Sequence, residues 1–158
     1  MHDAARQFVA RYATDKPVMV LECGARDVNG SVRSLFPRAD WFGVDIGPGP
    51  GVDEVADFAD YQHPHLVDIV VSTEVLEHTP RWREILLSAS RNLRPGGRLI
   101  VTAAGPGRAP HSAIDGGAVG DEHYENIDPE DLSSELARWF SVSEVQHVGA
   151  DVHAVAFL

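Results

Sequence analysis

The chain has 158 residues, 44% hydrophobic and 23% charged, which favours one globular domain over residues 1–158. Its net charge of −11, from 24 acidic and 13 basic residues, argues against nucleic-acid binding, which depends on cations that displace phosphate counterions. No apolar run approaches the roughly 18 residues of a membrane span, so no membrane association is expected. One cysteine, Cys23, excludes an internal disulfide. We therefore expect a cytoplasmic protein.

The first part of the chain alternates apolar runs with turn residues. Residues 1–16 carry a helical pattern that stops before Pro17. Residues 18–22 form an apolar run without alternation, which predicts a strand covered on both faces, as in a parallel sheet. A short helix is predicted over 31–36, and a second strand over 41–45.

The middle of the chain contains the clearest strand, 67–73, which is rich in β-branched apolar residues. A helix is predicted to follow it, with Thr79 as its N-cap, Pro80 at its first position and Arg94 at its end. Residues 98–104 then form another buried strand.

The last part of the chain begins with a long segment, 105–127, that is rich in Gly, Pro and acidic residues and lacks periodicity. Loops of this length are usually functional or mobile. Asp128 then caps a predicted helix, and two strands over 141–148 and 152–158 are joined so closely that they must be antiparallel. The whole order predicts an α/β fold with a mostly parallel sheet and a closing antiparallel hairpin.

Ligands of such sheets bind at the carboxyl ends of the strands. An acid at the end of the second predicted strand, Asp45, stands where a ribose needs an acceptor for its hydroxyl groups. The residues that follow the three best predicted strands are therefore the candidates for a ligand site. They are Glu22, Cys23 and Gly24, then Asp45 and Ile46, then Glu74, Val75 and Leu76.

The stretches "VLECGARDVNGSVR", "WFGVDI", "VADFAD" and "DIVVSTEVLEHTPRWREILLSASRNLRPGGRLIVT" together resemble the class I S-adenosylmethionine (SAM)-dependent methyltransferases of the type 11 group. The most specific part is "STEVLEH" followed at helix length by "LRPGGRLIVT". The resemblance implies a Rossmann-like, doubly wound, mostly parallel seven-stranded sheet. It also implies transfer of the SAM methyl group to an O, N or C acceptor, with S-adenosylhomocysteine (SAH) as the product.

The resemblance also assigns roles to individual residues. Glu22 and Gly24 would hold the methionine end of SAM. Cys23 is expected to pack behind this loop, as buried cysteines usually do, and not to act as a nucleophile. Asp45 would accept the ribose hydroxyls beside Ile46. The remaining implied contacts are Asp57 and Phe58 at the adenine, and Thr73, Glu74 and Val75 beside the methionine portion and sulfonium.

Alternative functions are a SAM-binding regulatory or pseudo-enzyme module and a nicotinamide-dependent oxidoreductase. The family's first loop usually has glycines at alternate positions, but here Arg26 and Val28 occupy two of those places. The same two residues disfavour a pyrophosphate loop, and hence the oxidoreductase.

The acceptor side is predicted to involve the 105–127 loop. His111 and His123 are candidates for a general base. Glu77 and His78 could form an acid/base pair, although a helix entry is the preferred interpretation. An acidic lid is likewise preferred to a metal site in the loop, so no metal is predicted. The acceptor is a small molecule or a carrier- or protein-bound group, and a second copy or a partner protein could complete its site.

Overall fold

A seven-stranded sheet forms the centre of the fold, and the computed structural model describes residues 3–158. Met1 and His2, which belong to the predicted N-terminal helix, lie outside the described residues. The strands are β1 (Val18–Cys23), β2 (Ala39–Asp45), β3 (Glu54–Val55), β4 (Val67–Thr73), β5 (Leu93–Ala104), β6 (Val142–Val148) and β7 (Asp151–Phe157). The helices are α1 (Asp3–Ala10), α2 (Trp82–Asn92) and α3 (Pro129–Trp139).

The strands lie in the order β3-β2-β1-β4-β5-β7-β6. The first five strands of the chain pair in parallel, and β7 runs antiparallel between β5 and β6. This confirms the predicted α/β fold with a closing antiparallel hairpin. The chain builds outward from β1 to one side and then returns to place β4 on its other side. A crevice forms at such a switch, at the carboxyl ends of the strands.

Both faces of the sheet are covered, which explains why the central strands lack hydrophobic alternation. On one face, α2 and α3 bury residues such as Leu86 and Leu132 against the strands. On the other face, Phe8 of α1 packs with Phe36 and Ile69. Among the described residues, no helix has the length and apolar character needed to cross the hydrocarbon core of a membrane.

Several predicted boundaries are wrong by a few residues. The helix after β4 begins at Trp82 with Arg81 at its N-cap, because the hydroxyl of Thr79 accepts the backbone N–H of Arg81 in a separate turn. That helix ends at Asn92 instead of Arg94, and β5 starts directly after it. The predicted helix over 31–36 is only a 3₁₀ turn, Arg33–Leu35.

Three further predictions concern the N-terminal helix, the segment 105–127 and the helix that follows it. Helix α1 ends at Ala10, short of the predicted residue 16. The segment 105–127 contains neither helix nor strand, as predicted. At α3, Asp128 caps the helix by accepting the N–H groups of Glu130 and Asp131, and Pro129 occupies its first position. That capping arrangement confirms the prediction in detail.

Candidate functional site

A cavity of about 820 Å³ opens at the carboxyl ends of β1, β2 and β4. Its volume lies within the range of about 300–1,000 Å³ typical of small-molecule sites. All ten residues predicted to contact a cofactor line it, as does one of the two predicted bases. They are Glu22, Cys23, Gly24, Asp45, Ile46, Asp57, Phe58, Thr73, Glu74, Val75 and His111.

The end of β1 is shaped by a glycine. Gly24 has a φ of +72°, and its N–H donates to the carbonyl of Val44 at 2.9 Å. A Cβ at this position would lie 2.2 Å from Cγ2 of Val75. The two strand ends therefore meet without a side chain between them, and the backbone of Gly24 borders the cavity directly. Cys23 beside it is buried in the core, and burial raises the pKa of its thiol.

Glu22 lines the cavity but is already ion-paired. Nε of Arg33 donates to Oε2 of Glu22 at 2.8 Å, and Nη2 of Arg33 donates to the carbonyl of Gly51 at 2.6 Å. Burial raises the pKa of Glu22, and Arg33 opposes that shift. A ligand that approaches this carboxylate would meet Oε1, because Arg33 holds the other oxygen.

The end of β2 presents an oriented carboxylate beside an exposed apolar side chain. Oδ2 of Asp45 accepts the N–H of Arg26 and Oδ1 accepts the N–H of Gly47, both at 3.0 Å. Ile46, the next residue, is 80% exposed although it is aliphatic. Backbone hydrogen bonds fix the Asp45 carboxylate and still leave it lone pairs for further donors.

Arg26, which replaces a glycine of the usual loop, lies across the turn after β2. Its Cγ would be 2.7 Å from a Cβ at Gly49, and its Nη2 donates to the carbonyl of Ala113 at 3.4 Å. The glycine at position 49 makes room for the arginine stem. The side chain thus connects the first loop with the 105–127 segment at the mouth of the cavity.

Asp57 and Phe58 form a third wall. Oδ1 of Asp57 accepts the N–H of Ala59 at 2.9 Å, and Oδ2 accepts from Nη1 of Arg81 at 2.6 Å. Arg81 also binds both oxygens of Asp60. Phe58 is buried and stacks on Tyr61. Asp57, the predicted adenine contact, is therefore also paired with Arg81. The sequence did not predict this pairing.

The end of β4 is strained at Glu74, which has a φ of +56°. Its N–H donates to the carbonyl of Thr102, and the hydroxyl of Thr102 donates to Oε1 of Glu74 at 3.0 Å. Left-handed backbone at a residue other than glycine is uncommon and concentrates at functional sites. The two bonds to β5 hold this conformation and keep Glu74 at the cavity wall.

Comparison with known proteins relates part of the chain to a described domain. Residues 49–101 match the family model described as the methyltransferase domain. Among solved structures, the 1,6-didemethyltoxoflavin-N1-methyltransferase of Burkholderia thailandensis, with bound SAH, has a TM-score of 0.71 at 15% identity. That comparison covers 98% of this chain and 76% of the other. Residues 49–101 therefore match a methyltransferase domain, and the chain as a whole has the fold of SAM-dependent methyltransferases.

Two further structures share the methyltransferase fold. A complex of DhpI with SAH has a TM-score of 0.71 at 17% identity and covers 96% of this chain and 82% of that one. The N-methyltransferase NodS of Bradyrhizobium japonicum WM9, also with SAH, has a TM-score of 0.65 at 17% identity. It covers 98% of this chain and 85% of NodS. No curated protein sequence matches the chain significantly.

Three aromatic side chains meet where His78 and His111 line the cavity. The rings of His78, His111 and Tyr124 contact one another edge to face, with centroids 5.0 to 5.6 Å apart. Burial lowers the pKa of His78 to about 4 and raises the pKa of Tyr124 to about 12. Both groups are therefore neutral near pH 7, so His78 presents a polar but uncharged side chain to the cavity.

Glu77, the residue before His78, is completely buried. Its Oε1 accepts the N–H of Ala104 at 3.1 Å, and its backbone carbonyl accepts the N–H of Glu125. The preferred interpretation of Glu77 and His78 as a simple helix entry does not describe this arrangement, since both belong to a 3₁₀ turn, Leu76–His78, that precedes α2. Burial, with the charge of Glu74 as the second cause, raises the pKa of Glu77.

The second predicted base, His123, is not among the residues that line the cavity, although it acts electrostatically on His78, which is. Its Nε2 is 3.5 Å from Oε1 of Glu125, and its side chain is 38% exposed. Lining residues that sequence reasoning did not select include Arg26, Thr79, Ile85 and Arg108. Their side chains come from turns and a helix, and no motif marks such positions.

Proposed function

We propose that the cavity binds SAM along the ends of β1, β2 and β4, and that the methyl group passes to an acceptor held near His78 and His111. The arrangement at Asp45 carries this proposal. Its carboxylate is fixed by two backbone N–H groups at 3.0 Å, faces the cavity and stands beside an 80% exposed isoleucine. A nucleoside offers the matching pair of features, two hydroxyl donors and a flat apolar base.

The residues present fit the cofactor at its other end as well. The close approach of Gly24 and Val75 leaves a cradle that a Cβ would fill. Glu22 offers an acceptor oxygen for the ammonium group of a methionine moiety. Asp57 and Phe58 offer an acceptor and an apolar wall for adenine. The neighbours from Burkholderia thailandensis and Bradyrhizobium japonicum hold SAH, which supports the assignment by fold.

SAM supplies, when bound, a methyl group on a positively charged sulfur that leaves as a neutral thioether. The protein's own contribution is then to fix both partners in line and to keep water out. Alignment of this kind is worth roughly 7–11 kcal/mol of a reaction barrier. The turn at Glu74 and the Gly24–Val75 contact border the cavity and would position SAM for this alignment.

The acceptor is proposed to be polar, because His78, His111 and Arg108 all line the cavity and none of them belongs to the strand ends assigned to SAM. A hydroxyl or amine group suits these donors and acceptors better than a carbon nucleophile in an apolar molecule. Such a group can belong to a small molecule or to a carrier- or protein-bound substrate. An acceptor panel that includes hydroxyl, amine and carbon nucleophiles would test the preference.

We also propose a cytoplasmic location. Cys23, the single cysteine of the chain, is a buried free thiol, as is usual in a reducing compartment. Fractionation of cells that express the protein would check this, and recovery from an oxidising compartment would contradict it.

Isothermal titration with SAM, SAH and NAD tests the proposed cofactor. We expect heat with the two sulfur ligands and none with NAD. Asp45→Ala should weaken SAM binding by about 1–3 kcal/mol, because the ribose hydroxyls lose their acceptor. Asp40→Ala is the matched control, since Asp40 is an exposed aspartate of the same strand. Equal affinity in the two variants would show that Asp45 does not hold the ribose.

A further inference from the structure

A cluster of three side chains at the acceptor end of the cavity has the composition of a metal site. One potential ligand atom from each of Glu77, His78 and His111 lies within 4.8 Å of the other two. Glu77 and His78 follow β4, and His111 follows β5, so neighbouring strand ends bring them together. We propose that these three residues bind one divalent transition-metal ion. Zn²⁺ is the ion that best suits two imidazoles and one carboxylate.

The buried carboxylate is the strongest argument for an ion. Glu77 is 0% exposed, and its Oε2 has no hydrogen-bond partner within residues 3–158. Leaving a buried carboxylate oxygen unpartnered is costly. The guanidinium of Arg108, whose charge acts on Glu77, is engaged by Asp151 at 2.6 Å. A cation bound at Glu77 would satisfy the oxygen and balance the charge.

His111 is oriented as a metal ligand usually is, and His78 has a buried ring nitrogen that no protein group satisfies among the described residues. Nδ1 of His111 lies 3.2 Å from the carbonyl oxygen of Ala109, an arrangement in which Nδ1 carries the proton and Nε2 offers its lone pair. Nδ1 of His78 is buried and has no hydrogen-bond partner in the described part of the chain. Hydrogen bonds from a ligating imidazole to a backbone carbonyl are the usual way in which its orientation is fixed.

The three potential ligand atoms lie slightly farther apart than the ligands of a bound metal ion do. Ligands at about 2.0–2.1 Å from a tetrahedral ion stand about 3.4 Å apart. Nε2 of His78 is 4.0 Å from Oε1 of Glu77, and the largest separation in the cluster is at most 4.8 Å. Loading the site would need the His78–Glu77 separation to shorten as well as His111 to move closer, and His111 lies on a loop and is only half-buried.

An ion at this position would have an open coordination site toward the cavity, because His78 and His111 both line it. The use of that open site rests on the proposed function: the ion would bind an oxygen or nitrogen atom of the acceptor as a Lewis acid. His111 would then be a ligand and not a general base, since a nitrogen that binds metal cannot also accept a proton. Acceptors with a metal-binding hydroxyl or amine are the substrate class that fits.

The test is metal binding by the tag-free protein after treatment with a chelator. Zn²⁺ titration by calorimetry should show one equivalent bound, and Co²⁺ should give the visible absorption of a low-coordinate site. His111→Ala and His78→Ala should each lower the Zn²⁺ affinity at least tenfold. His65→Ala is the control, because His65 is an exposed histidine outside the cluster. Circular dichroism melting establishes that each variant is folded.

Each outcome separates the two proposals. Absence of a one-equivalent site in the wild-type protein, or equal losses in His65→Ala and His111→Ala, would overturn the metal site. A preference for Mg²⁺ over Zn²⁺ would overturn the choice of ion. Titration of the metal-free wild-type protein with SAM tests the proposed cofactor independently of the metal. Heat from SAM without any metal site removes only this inference, whereas a metal site without SAM binding removes only the proposed cofactor.

Discussion

Gly24 and Val75 come from the ends of β1 and β4 and meet so closely that no side chain fits between them. A Cβ on Gly24 would lie 2.2 Å from Cγ2 of Val75, and the φ of +72° disfavours any other residue. The contact sets how near the first loop comes to the strained turn at Glu74. It therefore defines the floor of the cavity from two strands at once.

Gly24→Ala should destabilise the fold and weaken SAM binding together. We expect the free energy of unfolding in urea to fall by about 1–3 kcal/mol more than in a control variant, from the clash with Val75. Gly149→Ala is that control, since Gly149 also has a positive φ, +65°, but no atom within 4 Å of an added Cβ. Equal losses in the two variants would mean that backbone conformation alone explains the glycine.

Ile46→Ser tests whether the exposed isoleucine serves a ligand. The side chain is 80% exposed, so its removal should change the free energy of unfolding by less than about 0.5 kcal/mol. The Kd for SAM should rise roughly 3- to 10-fold, because apolar surface buried against the base is lost. Leu66→Ser is the control at a 52% exposed leucine outside the cavity lining. An unchanged Kd in Ile46→Ser would remove this residue from the site.

The strand-end residues could be predicted from the sequence because parallel strands place their carboxyl ends at one edge of the sheet. Apolar runs such as 18–22 and 67–73 located the strands, and the turn residues after them had to lie side by side. The positions of strand ends do not depend on side-chain packing, so the sequence correctly predicted that Glu22 and Asp45 lie at the same cavity. Their roles toward a cofactor remain predictions.

The partners of these residues could not be predicted in the same way. Arg33 reaches Glu22 from a 3₁₀ turn, and Arg81 reaches Asp57 from the start of α2. Such contacts depend on the path of loops, for which the sequence has no periodic signal. The burial of Glu77 is a similar case, since its carboxylate accepts the N–H of Ala104 and its carbonyl accepts the N–H of Glu125, both distant in the sequence.

Arg108→Met tests how the 105–127 segment is held. Arg108 donates to Asp151 at 2.6 Å, with side-chain exposures of 19% and 9%. Removing the guanidinium leaves a nearly buried carboxylate without its cation, so we expect a loss of about 1–3 kcal/mol in the free energy of unfolding. Hydrogen exchange should also accelerate within the segment. Met keeps most of the packing volume of the arginine stem.

The control for this variant is Arg94→Met. Arg94 pairs with Asp68 at 3.0 Å, but the side chains are 48% and 26% exposed, so the loss should stay below about 1 kcal/mol. If Arg108→Met is no more destabilising than Arg94→Met, or if exchange within 105–127 is unchanged, the ion pair to β7 does not anchor the segment.

Glu22→Gln tests the electrostatics of the first strand end. Burial raises the pKa of Glu22 above its ordinary value of 4.5, despite the opposing effect of Arg33. Below about pH 4.5 both the folded and the unfolded chain hold this proton. As the pH rises from there through the folded-state pKa, the unfolded chain releases the proton first, so the wild-type protein loses stability that the uncharged glutamine variant keeps.

The measurement is the free energy of unfolding of both proteins in urea between about pH 4 and pH 7.5. The difference between wild type and Glu22→Gln should shift in favour of the variant as the pH rises, and it should level off above the folded-state pKa. Asp53→Asn provides a comparison at a second carboxylate that accepts a backbone N–H, that of Gly43 at 2.7 Å. A shift in the opposite direction would show that the ion pair with Arg33 outweighs the cost of burying Glu22.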